Sequence, residues 1–178
     1  SVEYQYPNHL FQAGYFLDKK YYDENTIDFK HLLLSEKNQS LLKDIQNSNS
    51  VGVHIRRGDY MTKQNLVIFG NICTQKYYHD AIRIITEKVN DAVFYVFSDD
   101  ISWVQTHLDI PNAVYVNWNT GESSIYDMYL MSSCKYNIIA NSTFSYWAAR
   151  LNKKTNMVIY PSKWYNTSVS YTHLRAHE

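Results

Sequence analysis

The chain has 178 residues, of which 45 % are hydrophobic, so it can build the core of a full domain and is not a disordered segment. Its 17 Lys and Arg side chains balance its 17 Asp and Glu side chains. This neutral balance argues against a nucleic-acid-binding protein, which needs a basic face to neutralise phosphates. No apolar run approaches the roughly 20 residues of a membrane-spanning helix. The two cysteines, Cys73 and Cys134, fit no metal-ligand spacing and are expected to be free thiols.

The hydrophobic pattern predicts regular elements along most of the chain. An irregular aromatic stretch comes first, and a helix is expected over residues 40–46. After residue 49, short apolar runs alternate with segments of helical spacing, the first of which has Thr74 as its N-cap. The predicted strands cover residues 51–55, 92–97, 113–116, 137–140 and 157–160. The predicted helices between them cover residues 74–90, 101–108, 123–134 and 144–152.

This alternation predicts an α/β fold, a Rossmann-like doubly wound parallel sheet with helices on both faces. The polar stretch QNSNS at residues 46–50 predicts a domain boundary, with residues 1–49 ending one domain and residues 50–168 forming the next. Residues 169–178, VSYTHLRAHE, match the translation of a DNA-sequencing library adaptor. We therefore interpret that segment as non-native and exclude it from the functional argument.

Unusual polar residues collect where the predicted strands end. The first strand runs into HIRRGD, the second into SDD, the third into NWN and the fourth into NSTFS. In open α/β sheets, ligands bind outside the carboxyl ends of the strands. The pattern therefore predicts a ligand site at this edge of the sheet.

Two arginines at the end of the first strand suggest an anionic ligand. Arg56 and Arg57 offer forked, permanently charged donors that suit phosphate oxygens. Strand alternation places Arg56 on the face of His54, and Arg57 begins the turn with Gly58. The alternative is a surface arginine pair that bridges to Asp59 and nearby acids. The tripeptide RGD would support cell adhesion only in an exposed, flexible loop.

The other strand ends allow two interpretations each. The hydroxyls and free N–H groups of NSTFS could cradle a phosphate at a helix N-terminus, or Ser142 or Thr143 could be an ordinary N-cap. Asp99 and Asp100 could bind ribose or base, or Asp100 could cap the next helix. His54 could hydrogen-bond a ligand or satisfy a backbone group. The glycine-rich motifs of dinucleotide dehydrogenases and P-loop ATPases are missing, which disfavours those two classes. A sheet that binds phosphate through arginines and a helix N-terminus fits a nucleotide-sugar site.

The segments VGVHIRRGDY, FYVFSDDISWV and DMYLMSSCKYNIIANSTFSYWAARLN together resemble successive motifs of the α1,2-fucosyltransferase family. The resemblance covers residues 14–164. It implies an inverting transferase that moves fucose from GDP-fucose to the 2-hydroxyl of a galactoside, and the C-terminal, donor-binding half of the glycosyltransferase B architecture. The glycine-rich segment that begins family members has no counterpart here, which implies a fragment without most of the N-terminal domain. SYWAAR also departs from the usual SWWGAW at Tyr146 and Arg150.

The resemblance implies roles for individual residues. Arg56 and Arg57 would contact the GDP phosphates, and Arg56 would stabilise charge on the leaving group. Asp59 is the nearest candidate for the carboxylate that helps remove the acceptor proton. No metal or other cofactor is implied. Donor binding is expected of the remaining strand-end residues: His54, Ser98, Asp99, Asp100, Asn141, Ser142, Thr143, Phe144 and Ser145.

Two other classes of function stay open at this point. The aromatic and polar groups would also suit a non-catalytic carbohydrate- or nucleotide-binding module, or a transferase that uses another GDP-sugar. The expected partners are GDP-fucose and a galactoside-terminated glycan, and no nucleic acid. The lack of disulfide-rich character favours a cytoplasmic enzyme of bacterial type, with membrane association as the alternative.

Overall fold

A computed structural model describes residues 29–166. Two short 3-10 turns, Gly58–Met61 and Gly121–Ser123, interrupt the alternation of strands and helices. The strands are β1 (Asn49–Ile55), β2 (Ala92–Ser98), β3 (Ala113–Val116), β4 (Tyr136–Ile138) and β5 (Met157–Ile159). The helices are α1 (Glu36–Asn47), α2 (Lys63–Phe69), α3 (Gln75–Lys88), α4 (Ile101–His107), α5 (Ser124–Ser132) and α6 (Thr143–Leu151).

The five strands form one parallel sheet in the order β3-β2-β1-β4-β5. The central strand β1 pairs with β2 along its whole length and with β4 through Val51, Gly52 and Val53. Along the chain, β2 and β3 are added on one side of β1, and β4 and β5 are then added on its other side. The strand order therefore reverses between β1 and β4.

Helices cover both faces of the sheet, each over its own apolar core. Helices α3 and α4 pack on one face through Tyr78, Ile85 and Val104, against Val53 and Phe94 of the sheet. Helices α1, α5 and α6 pack on the other face, and their buried side chains meet a second set from the sheet. The main members of that core are Leu41, Ile45, Tyr95, Phe97, Val116, Leu130, Met131 and Ala148. The predicted doubly wound α/β fold is confirmed.

Two elements differ from the expectation. Helix α1 begins at Glu36 rather than at residue 40, because the hydroxyl of Ser35 accepts from the Asn38 N–H and caps it. Its Leu41 and Ile45 lie in the core of the sheet, so the packing shows no break at residues 46–50. The predicted division of the chain into domains stays a prediction, since residues 1–28 and the adaptor-like segment 169–178 lie outside the described residues.

Helix α2 was not expected. None of its residues is buried, and its apolar run LVIF has no helical spacing. Polar contacts hold its C-terminal end instead. The side-chain amide of Asn166 donates to the carbonyl oxygens of Val67 (3.0 Å) and Gly70 (3.1 Å), and its backbone N–H donates to Ile68 (2.8 Å). These bonds satisfy carbonyl groups that the last turn of a helix leaves free.

Candidate functional site

The candidate site lies where the strand order reverses. The loop after β1 leads through the Gly58–Met61 turn and α2 to a helix on one face, and the loop after β4 leads to α6 on the other. Loops that diverge in this way leave a crevice, which is the usual ligand position in such sheets. A cleft of about 230 Å³ opens here, lined in part by Arg56, Arg57, Tyr60, Trp103 and Asn141.

A larger depression, of about 400 Å³, lies at the opposite edge of the sheet. Residues around the amino ends of β2 and β3 line it, and Asp91 is its only charged side chain. A depression at that edge lacks the arginines and the helix N-terminus that the sequence analysis identified. The smaller cleft is therefore the candidate functional site.

Arg56 is held between two carboxylates. Its Nη2 lies 2.7 Å from Oδ1 of Asp59, and its Nη1 lies 2.9 Å from Oδ2 of Asp99. Its side chain is 34 % exposed, so water weakens both ion pairs. The structure thus shows the bridging to neighbouring acids that the sequence analysis left as the alternative. An incoming diphosphate would have to compete with these carboxylates for the guanidinium.

The side chain of Arg57 lies against the first turn of helix α4. Its guanidinium carbon is 3.6 Å from the centre of the Trp103 ring. Its Nε lies 3.4 Å from Oδ2 of Asp100. Arg57 is also the arginine of the RGD tripeptide. Because its side chain is only 20 % exposed and fixed to α4, this turn does not have the free arginine that an adhesion motif needs.

Asp99 fixes the conformation of the loop after β1, which carries Arg56 and Arg57. Its Oδ1 accepts from the backbone N–H of Arg57 at 2.9 Å, while its Oδ2 pairs with Arg56. Gly58 makes this approach possible, because a Cβ atom there would collide with the Asp99 carboxylate. In this conformation Asp99 organises the loop with both of its oxygens. Its predicted contact with ribose or base stays a prediction.

Asp100 caps helix α4, which was one of the two interpretations that the sequence allowed. Its Oδ1 accepts from the Trp103 N–H at 3.1 Å, and its backbone N–H donates to the Ser98 hydroxyl at 3.0 Å. Ser98 and Asp100 therefore stabilise the turn between β2 and α4. Sequence reasoning missed Trp103, although its place one turn after the capping Asp100 could have indicated it.

His54 is buried at the end of β1 beside α6. Its ring centre lies 4.9 Å from that of Phe144. Burial, assisted by the nearby positive charge of Arg56, lowers the pKa of His54 to about 3, so the imidazole is neutral at physiological pH. Its Nδ1 is fully buried and has no hydrogen-bond partner within residues 29–166. A neutral imidazole can hydrogen-bond a ligand but adds no positive charge to the site.

The start of helix α6 presents backbone N–H groups without a side-chain cap. Ser142 occupies the N-cap position, but its hydroxyl makes no capping hydrogen bond. Thr143 follows it and is exposed. The alternative of an ordinary side-chain N-cap is therefore wrong for Ser142. The free N–H groups at this terminus remain available to an anion.

Two residues of the predicted cradle point inward. The Asn141 amide donates to the carbonyl oxygens of Phe69 and Trp164, at 3.1 Å each. The Ser145 hydroxyl is fully buried, 3.1 Å from the carbonyl oxygen of Ala140. These bonds use the donor hydrogens of both side chains, so neither is free to donate to a ligand, although Asn141 lines the cleft.

Tyr60 joins the two sides of the site, and sequence reasoning missed this residue as well. Its hydroxyl donates to the carbonyl oxygen of Asn141 at 2.8 Å, which links the loop after β1 to the loop after β4. Its ring stacks on Phe69 at 5.0 Å, and the guanidinium of Arg56 lies 5.7 Å from the ring centre. The position of Tyr60 directly after RGD was the available signal.

The polar residues after β3 support packing between helices. Trp118 donates to Oδ1 of Asn38 on α1 at 2.7 Å, and the Asn119 amide donates to Asp127 on α5 at 2.7 Å. Asn38 is buried and also donates to Asn119 at 2.9 Å. Burial raises the pKa of Asp127 to about 7. The NWN sequence thus joins α1 to α5 through this network.

Within residues 29–166, no three His, Cys, Asp or Glu side chains come close enough to hold a metal ion. No helix in that part of the chain is long and apolar enough to cross a membrane. Cys73 and Cys134 are both free thiols, as expected.

One family description covers most of the chain, and several known proteins are similar to it. The family description "Glycosyl transferase family 11" matches residues 4–175, which includes the start of the adaptor-like segment. The O-antigen biosynthesis glycosyltransferase WbnK of Escherichia coli is 44 % identical over 122 residues, which cover 67 % of this chain and 40 % of the relative. An alpha-1,2-colitosyltransferase of Escherichia coli is 42 % identical over 127 residues, which cover 68 % of this chain and 43 % of the relative.

More distant proteins carry related names. Galactoside alpha-(1,2)-fucosyltransferase 2 of Pongo pygmaeus is 29 % identical over 128 residues, which cover 68 % of this chain and 37 % of the relative. The crystal structure of the fucosyltransferase NodZ from Bradyrhizobium aligns with a TM-score of 0.47 and 19 % identity, over 65 % of this chain and 40 % of that one. The chain spans about two-fifths of the length of these proteins. Since the family description matches nearly all of its residues, the chain belongs to glycosyl transferase family 11.

Proposed function

We propose that this chain is the donor-binding half of a glycosyltransferase B enzyme that moves fucose from GDP-fucose to the 2-hydroxyl of a galactoside with inversion. The observation that carries the proposal is that two loops with anion donors meet at the reversal of strand order, joined by the hydrogen bond from Tyr60 to Asn141. The loop after β1 supplies Arg56 and Arg57, and the uncapped start of α6 supplies backbone N–H groups. Guanidinium groups and helix N-termini are the common ligands of a diphosphate.

The acidic neighbours of Arg56 fit this role. Their ion pairs hold the guanidinium at the cleft in the absence of a ligand, and partial exposure keeps these pairs weak. A diphosphate carries more charge than one carboxylate and can take over the Arg56 donors. His54, buried and neutral, adds a hydrogen-bonding group beside α6 without opposing either charge.

The reaction then proceeds by displacement at the anomeric carbon. The acceptor oxygen forms a bond to that carbon from one face, and the bond to the diphosphate oxygen breaks on the other face. The electron pair of the broken bond goes to the departing GDP, where arginine stabilises the developing charge. Release of Arg56 to the diphosphate frees the Asp59 carboxylate, which accepts the proton of the attacking hydroxyl.

A second donor is favoured by one comparison. The relative named an alpha-1,2-colitosyltransferase is 42 % identical, whereas the relative named a galactoside alpha-(1,2)-fucosyltransferase is 29 % identical. Colitose differs from fucose by loss of one hydroxyl. The same diphosphate site would hold either sugar, so GDP-colitose is the alternative donor.

Calorimetric titration of the 178-residue chain tests the proposal. We expect saturable binding of GDP, tighter binding of GDP-fucose or GDP-colitose, and weaker binding of GDP-mannose. Arg56→Ala should weaken GDP binding at least about 10-fold, in line with the loss of a charged hydrogen-bond donor. Arg83→Ala is the matched control, because Arg83 is 60 % exposed on α3 and its ion pairs within residues 29–166 are with Asp80 and Glu87 of its own helix.

Each outcome has a distinct meaning. A chain that is folded by circular dichroism and ignores all four ligands would refute the donor site. Equal losses of GDP affinity in the Arg56 and Arg83 variants would indicate that binding depends on net charge rather than on the Arg56 contact. Binding of free sugars without dependence on Arg56 would favour the carbohydrate-binding module instead.

A further inference from the structure

We propose that Trp103 is a positioning residue that holds the guanidinium of Arg57 flat at the rim of the cleft, with its terminal nitrogens free for an anion. The inference deepens the proposed function and rests on it. It assigns Arg57 a prearranged anion contact, and it assigns Trp103 the task of keeping that contact in place.

Three contacts immobilise Arg57. The indole of Trp103 lies under its guanidinium at 3.6 Å, Asp100 accepts from its Nε at 3.4 Å, and Asp99 accepts from its backbone N–H at 2.9 Å. Asp100 also caps α4 through the Trp103 N–H. The first turn of α4 therefore fixes both the side chain of Arg57 and the ring beneath it.

The terminal nitrogens of Arg57 are the unused part of this arrangement. They make no hydrogen bond within residues 29–166, and neither is fully buried. Both arginines line the same cleft, but the terminal nitrogens of Arg56 already contact Asp59 and Asp99. Arg57 can therefore accept an anion without first breaking an ion pair of its terminal nitrogens.

Trp103 is not itself placed to stack on a nucleobase. Arg57 covers one face of its ring. The ring of His107 covers the other, with a centre separation of 4.5 Å and an interplanar angle of 10°. His107 is held there by contact between its Nδ1 and the Trp103 carbonyl oxygen at 2.9 Å. With both faces occupied, the ring acts on a ligand through Arg57.

A double-mutant cycle tests the inference by GDP titration of the 178-residue chain. Trp103→Leu should weaken GDP binding about 5-fold, the scale expected for losing a cation–π contact in a partly desolvated setting. In the Arg57→Ala background the same change should alter GDP binding less than about 2-fold, because the group on which Trp103 acts is gone. Trp103→Phe, which keeps an aromatic face, should recover most of the affinity.

Trp118→Leu is the matched control. Trp118 also carries a cation over its ring, Lys37 at 3.8 Å, but it lies after β3 and does not line the cleft. Its replacement should leave GDP affinity unchanged at a temperature where the variant is folded. If Trp103→Leu does not fold, Trp103→Phe replaces it in the double-mutant cycle. The expected loss of GDP affinity is then smaller, and it must again vanish in the Arg57→Ala background.

Three results would overturn the inference. The first is full GDP affinity in Trp103→Leu. The second is an equal loss with and without Arg57, which would indicate a general structural role. The third is a loss of the same size in Trp103→Phe as in Trp103→Leu. Failure of the unchanged chain to bind GDP is different, since it refutes the proposed function and removes this inference with it.

Discussion

Replacement of Gly58 by alanine has two opposite effects on the free energy of unfolding, one from the backbone and one from a contact with Asp99. The φ angle of Gly58 is not in the left-handed region, so the backbone accepts alanine. On backbone grounds alone, such a change should stabilise the fold by roughly 0.4–1 kcal/mol, because the unfolded chain loses freedom. The added methyl group, however, would collide with the Asp99 carboxylate. That carboxylate must move away from the loop.

The magnitude follows from what Asp99 loses. Its hydrogen bond from the Arg57 N–H, at 2.9 Å, contributes about 1 kcal/mol. Its ion pair with Arg56, also at 2.9 Å, contributes less than about 1 kcal/mol because both side chains are partly exposed. Set against the backbone gain, the net effect is a loss of about 1 kcal/mol. A domain of this size should then melt roughly 3–5 °C lower.

The assay is thermal unfolding of Gly58→Ala in two backgrounds. In the unchanged chain the melting temperature should fall. In the Asp99→Ala background the obstacle is gone, so the same replacement should raise the melting temperature by a few degrees. A fall of equal size in both backgrounds would refute the reasoning, since the loss would then not act through Asp99.

The remaining predictions concern the groups around the site. Asp127→Asn should leave the free energy of unfolding unchanged near pH 4 and raise it by about 2 kcal/mol at pH 8. Burial raises the pKa of this carboxyl to about 7, so the wild type loses stability as the pH rises through 7, whereas the amide does not titrate. The full pKa shift corresponds to about 4 kcal/mol, and solvent screening of this partly exposed side chain reduces that figure. Urea unfolding at both pH values checks this, and a difference independent of pH would contradict it. Tyr60→Phe removes the bond to the Asn141 carbonyl and should destabilise the chain by about 1 kcal/mol in the same assay, while no change would show that the bond is not maintained in solution. Asn166→Ala removes two side-chain bonds to the end of α2 and should speed amide hydrogen exchange across that helix, with unchanged exchange in α3 as the internal reference.

The sequence was sufficient for the sheet and for the edge at which the site lies. Strand and helix periods are local properties, and β1 and α3 follow them within a few residues. The rule that ligands meet strand carboxyl ends then located Arg56 and Asn141, which precedes α6, at one cleft. Strand order was not available from the pattern, because it depends on which edge the chain returns to after β3.

The partners of the site residues could not be obtained in the same way. Asp99 reaches Arg57 across 42 positions of sequence, and Tyr60 reaches Asn141 across 81. Such contacts are set by tertiary packing. The short helix α2 was missed for a related reason: its apolar residues face no core, and distant asparagine amides stabilise its end.

The amides that hold α2 also have a consequence for producing the protein. Asn141 and Asn166 begin the triplets NST and NTS, which are acceptor sequences for N-linked glycans. Each side-chain nitrogen already donates two hydrogen bonds to backbone carbonyls, which uses both of its hydrogens. A glycan would replace one of these hydrogens and place a bulky sugar where the chain packs, most severely at the buried Asn141. The fold is therefore incompatible with a glycan on the buried Asn141, whereas a glycan on Asn166 would remove one bond that holds the end of α2. Expression through a secretory pathway that glycosylates Asn141 should give misfolded protein.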